Sequence, residues 1–146
     1  VIDIKGKALE YYCMTEMTDA VVTPSGPSKN VLVSPLTISD IGELGNQNEA
    51  YESQLVSISN VVVTGKLPLG TDGKNHGQFA VGKNATDPGL WIAPGFQTTF
   101  AKKDVATGNW TVKFTPGSSF KKITGVLSYS FGHYELTPRT DEDLAQ

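Results

Sequence analysis

The stretch Phe120–Arg139, FKKITGVLSYSFGHYELTPR, constrains the fold of this chain more than any other. Ile123, Val126 and Leu127 set an apolar pattern before a bend, and Tyr129, Phe131, Tyr134 and Leu136 carry it through. That pattern reads as two strands of a hairpin. Gly125 and Gly132 stand where the backbone must bulge or turn with no Cβ in the way. Pro138 ends the second strand because it has no N–H to give to a ladder. A hairpin alone cannot bury an apolar face. The rest of the chain is therefore read as material that closes a small β-barrel around it.

The totals agree with many short strands. The chain has 146 residues, enough for one domain, or one domain and part of another. Fifteen Gly and eight Pro, among abundant Thr, Ser and Val, mark frequent turns. Twelve Lys and Arg against 15 Asp and Glu leave a net charge of -3, which gives no overall attraction to a polyanion. One cysteine, Cys13, rules out a disulfide framework within the chain. No apolar run approaches the ~20 residues a helix needs to cross a bilayer. A start at Val1 fits either a trimmed chain or a mature protein that has lost a signal peptide.

Taken in order, residues 1–22 hold two strand candidates. Val1, Asp3, Lys5 and Lys7 alternate with Ile2 and Ile4, and Gly6 interrupts the pattern. Residues 24–30 are a turn or loop by composition. Ser39 to Leu44 is the best helix start, capped by Thr37 or Ser39 and kept short by Gly42 and Gly45. Residues 45–50 read as polar linker, and 51–64 as the strongest strand before the final hairpin. Short strands follow in GQFAVGK, LWIAPG and NWTVKFT, while Phe96 to Gly108 fits helix, strand or loop. Residues 141–146 read as a solvated acidic tail.

Laying Gly6 on Gly125 exposes a weak internal repeat. IKGKALEYYCMTEM runs beside ITGVLSYSFGHYEL, matching Ile4 to Ile123, Glu16 to Glu135 and Met17 to Leu136. On this reading the first 20 residues are the closing hairpin of a barrel whose opening strands are missing. The chain is then cut from a longer protein, or a neighbour supplies the strands. In a simpler alternative, the N-terminal strands pack on the chain's own barrel.

Two stretches carry a family likeness. Glu49, Tyr51, Glu52, Leu55 and Val56 form one; Ile123 to Leu127, Tyr129 to Gly132, Tyr134, Leu136, Pro138, Arg139, Asp143 and Leu144 form the other. They resemble the OB-fold modules of secreted bacterial proteins, often found beside extracellular endonuclease or exonuclease domains. Ser53 replaces the usual glycine, and Cys13 stands at a glycine position in the similar N-terminal EYYCMTEM. The resemblance implies a five-stranded barrel and says less about function, because one fold hosts many roles.

The expectation is an all-β chain: an OB-like five-stranded β-barrel over 51–140, a half-barrel-like N-terminal β extension with loop and one short helix over 1–50, and the tail over 141–146. No catalytic set is expected. His76 and His133 lack metal-ligand spacing, and the Asp72, Asn75, His76 loop is at best a weak cation holder. No cofactor and no metal are expected. The functional expectation is a non-catalytic extracellular or cell-surface module of a bacterium. It would contact itself or another surface protein and assemble, filament-like, through Val1, Ile2, Ile4, Leu9, Tyr11, Tyr12 and Cys13. The alternative is an accessory nucleic-acid-binding domain using Lys102, Lys103, Lys113, Lys121 and Lys122. Carbohydrate binding, a third reading, has only Trp91 and Trp110 behind it.

Overall fold

A computed structural model describes residues 1–11, 14–27, 30–95, 97–130 and 132–146, and at Met14 the backbone alone. The chain divides into two compact units, Val1–Leu32 and Val33–Gln146.

The first unit is a two-stranded antiparallel ribbon of β1 (Ile2–Tyr11) and β2 (Met14–Pro24). Pairing runs from Tyr11↔Met14 to Lys7↔Thr18, slips once, and resumes from Lys5↔Val21 to Ile2↔Pro24. The slip is a bulge: Gly6 on β1 faces two residues of β2, and Asp19 there takes a left-handed φ of 53°. An added Cβ at Gly6 would lie 2.6 Å from Met17 Cγ and 2.8 Å from the Thr18 carbonyl oxygen. Only glycine permits that approach.

The second unit is the barrel. Its strands are β3 (Ser34–Pro35), β4 (Leu55–Val63), β5 (Phe79–Gly82), β6 (Leu90–Ile92), β7 (Ala101–Lys103), β8 (Trp110–Val112), β9 (Ser119–Ser130), β10 (His133–Thr137) and β11 (Leu144–Ala145). Closure follows the order β4–β5–β6–β10–β9 and back to β4, with β6 and β10 parallel and the other pairs antiparallel. This is the all-β, OB-like five-stranded barrel that the sequence predicts. The β-branched run of β4 turns Val56, Ile58, Val61 and Val63 into the core. Phe120, Ile123, Leu127 and Leu136 meet them from β9 and β10. Phe79 packs edge-on to Phe100, with ring centroids 5.2 Å apart, and Phe114 and Phe120 complete the cluster. The hairpin β7–β8 forms a separate small sheet, so the ambiguous stretch after residue 96 contains a strand.

Three differences from expectation have physical causes. Two one-turn helices form rather than one: α1 (Ile38–Ile41) and α2 (Asn48–Tyr51). Thr37 caps α1 through a reciprocal box with Asp40. In α2, buried Asn48 donates to the carbonyls of Gly42 and Gly45, a tertiary bond that the polar sequence 45–50 conceals. Residues 33–50 were expected with the N-terminal extension. They belong to the barrel unit, where Ser34 and Pro35 pair with Val56 and Ser57. The acidic tail is not solvated throughout. Asp141–Asp143 form a 3-10 turn, Asp141 accepts from Thr99, and Leu144 is buried where β11 pairs with β9.

Candidate functional site

The ribbon is the most unusual surface of the molecule. Register places Ile2, Ile4 and Ala8 of β1, and Met17 and Val22 of β2, on one face, because Ala8 opposes Met17 and Ile4 opposes Val22. Glu10 and Thr15 end that face, joined by a 3.0 Å hydrogen bond from the Thr15 hydroxyl. The opposite face carries Asp3, Lys5, Lys7, Glu16, Thr18 and Thr23, with Leu9, Tyr11 and Val21 among them. Lys7 bridges Asp19 at 2.9 Å in the open solvent. The ribbon is thus amphipathic, yet Ile2, Ile4, Met17 and Val22 stay 54, 51, 50 and 55% exposed. Side chains of that kind are normally inside.

Of the residues expected to mediate assembly, Ile2 and Ile4 share the apolar face. Val1, Leu9 and Tyr11 lie exposed on the other. Tyr12 and Cys13 fall outside the described residues. Sequence reading missed Ala8, Met17 and Val22. Met17 and Val22 are an odd number of residues apart, so simple alternation separates them; the bulge at Asp19 brings them together.

The internal repeat is geometric. Tyr11↔Met14 through Lys7↔Thr18 in the ribbon repeat Ser130↔His133 through Val126↔Thr137 in the barrel. Beyond the bulge, Ile4 pairs with Val22 of the same strand β2, where Ile123 pairs with Leu144 of the separate strand β11, so the match there is of position and not of sequence spacing. The glycines correspond as well: an added Cβ at Gly125 would lie 2.7 Å from the Thr137 carbonyl oxygen and 2.9 Å from Leu136 Cγ. In the barrel the matching side chains Ile123, Leu127, Leu136 and Leu144 are buried core. In the ribbon Ile4, Ala8, Met17 and Val22 are exposed.

The barrel end offers a second feature, a cleft of about 320 Å³ lined by Gly42, Asn48, Trp91, Tyr129, His133 and Tyr134. Trp91 is buried, and the His133 ring stacks on it at 3.9 Å, so its face is already taken. The Tyr134 hydroxyl donates to Glu49 at 2.8 Å; burial first, then that carboxylate, pushes its pKa up. Burial raises the Glu135 carboxyl also, only partly offset by the Gln78 amide. Trp110 is half-buried, with Lys103 6.0 Å above its ring.

The five lysines of the nucleic-acid reading are all exposed. Lys102 and Lys103 are neighbours on β7 and point to opposite faces. Lys121 donates to the Gln146 carbonyl. His76 stands against both carboxylate oxygens of Asp72 at 3.1 Å. The Lys74 N–H and then His76 hold that acid below its ordinary range. Asn75 donates its amide N–H groups to the carbonyls of Pro68 and Gln78 and accepts from the Gly77 N–H, so it is tied into the loop backbone. Among the described residues no group of three His, Cys, Asp or Glu side chains converges to hold a metal. No described helix is long and apolar enough to cross a membrane.

A family model described as a domain of unknown function, DUF8508, matches residues 46–146. No curated protein and no solved structure matches the chain.

Proposed function

The chain belongs to the DUF8508 family, and we propose that it is a non-catalytic module making protein–protein contact through its N-terminal ribbon, outside the cell or at the surface of a bacterium. One observation carries this reading: the ribbon presents an unburied apolar face, and among the described residues its strands pair only with each other. Free edges are templates for strand addition, with main-chain bonds giving affinity and alternate side chains giving selectivity. The barrel closes on itself, which removes its own main edges. In a pure solution the ribbon's available partner is another ribbon, and edge pairing repeated from chain to chain extends into a filament-like polymer.

Light scattering and negative-stain imaging of the chain test the reading. Oligomers that grow with concentration, and that disappear in an Ile4→Asp, Val22→Asp variant with an unchanged barrel melt, are the expected result. A monomer at high concentration, with no partner slowing exchange of the β1 and β2 amides, overturns it. The accessory nucleic-acid reading stands second, resting on exposed lysines alone. Salt-dependent binding of single-stranded DNA would raise it.

A further inference from the structure

We propose that the apolar face of the ribbon is the inner face of a second barrel, and that its partner is a three-stranded antiparallel meander of the β4–β5–β6 kind lacking its own closing hairpin. This rests on the reading above and names the partner. The chain itself shows what seats on such a hairpin. β9 takes β4 along one edge in antiparallel pairing, and β10 takes β6 along the other in parallel. The ribbon repeats the pairing, the glycine approach and the inner-face positions of β9–β10. The same partner geometry therefore fits, the first strand of the meander on β1 and the third on β2.

Hydrogen bonding and burial favour this occupant over a second ribbon. Edge-to-edge pairing of ribbons satisfies backbone edges but leaves Ile4, Met17 and Val22 wet. A meander curling from one edge to the other satisfies both edges and covers the face, as β4–β6 cover Ile123 and Leu136. Counting excludes an intact second copy. Among the described residues each chain has two closing hairpins and one meander, and β9–β10 already close that meander. The correspondence is looser at four inner-face positions, where Ala8 stands for Leu127, Ile2 for the exposed Lys121, Glu10 for Tyr129 and Thr15 for Tyr134, and on the other face Lys5 stands for the buried Thr124.

The test appends a copy of residues 46–119 directly ahead of Val1 in the full chain, so that β1 follows it in the register of β9. Hydrogen exchange of the β1 and β2 amides is compared with that of the unextended chain. Slowing by about a hundredfold or more, abolished by Met17→Asp but not by Lys7→Asp on the other face, is expected. Should the extension fail to order, an Ala8→Leu version restores the inner-face leucine of β9. Unslowed exchange in that version too overturns the proposal. Oligomers of the unextended chain together with unslowed exchange in both extended forms would leave the contact reading standing and this inference refuted. Slowed exchange in the extension with a monomeric parent would support the inference and refute self-assembly. Neither effect refutes both.

Discussion

Gly125→Ala tests the close approach on which barrel closure depends. The new methyl would lie 2.7 Å from the Thr137 carbonyl oxygen, 2.8 Å from its carbon and 2.9 Å from Leu136 Cγ. Two of those atoms are backbone of the paired strand and cannot swing aside. Overpacking of this kind costs about 1–3 kcal/mol. Reduced freedom of the unfolded chain returns about 0.4–1 kcal/mol, so the net loss is roughly 1–2 kcal/mol. For a domain of this size that lowers Tm by about 5–10 °C. Calorimetry of the two proteins reads it directly. Gly6→Ala makes a similar clash, 2.8 Å from the Thr18 carbonyl oxygen, but within the ribbon unit, and should leave the barrel transition in place. A Gly125→Ala melt within about 1 °C of the parent, or above it, would refute the argument, since the clash would then have no energetic weight.

Leu127→Ala opens a cavity at a fully buried position and should cost about 2–5 kcal/mol in denaturant titration; Leu9→Ala on the exposed ribbon should change the barrel by less than about 0.5 kcal/mol. Glu135→Gln should raise Tm at neutral pH. Burial lifts this carboxyl's folded pKa, so the ionised form costs stability as pH rises through that value, and the gain should vanish near about pH 4. Asp143→Asn should lower Tm at neutral pH. Its pairing with Arg139, at 2.8 and 2.9 Å, depresses the Asp143 pKa. That stabilisation is present above the ordinary carboxylate range and lost as pH falls through the folded value, so the two melts should converge below about pH 4.

The barrel strands were legible because β-branched runs and the Gly125 hairpin state a period and a bend directly in the residues. Proximity in sequence also offers Arg139 an ion pair with Asp143 or Asp141, and the pair forms with Asp143. What escaped reading depended on distant partners. Helix α2 is a polar run, and its order comes from the Asn48 amide on two glycine carbonyls. The terminal strand β11 hides behind three acids whose partners, Thr99, Arg139 and Thr140, consume their charge locally. The apolar face of the ribbon was half visible. Ile2 and Ile4 declare themselves by alternation, but Met17 and Val22 join them only through the bulge opposite Gly6, whose two facing residues on β2 alternation does not place.

The ribbon and the barrel differ in their edges: the barrel's five strands close on themselves, and the ribbon is two strands. A two-stranded hairpin in water is marginal, because its ladder fixes many residues for few buried contacts. The described side-chain interactions within the ribbon, Lys7 with Asp19 and Thr15 with Glu10, are exposed and add little. Fully burying an aliphatic side chain is worth about 1.5–3 kcal/mol, so covering the exposed half of Ile2, Ile4, Met17 and Val22 would release roughly 3–6 kcal/mol. That exceeds anything the ribbon gains from its own surface pairs. On the proposed reading, ordering of the ribbon and capture of a partner would be one process, with affinity reduced by the cost of ordering and selectivity raised by the need to match register across both edges.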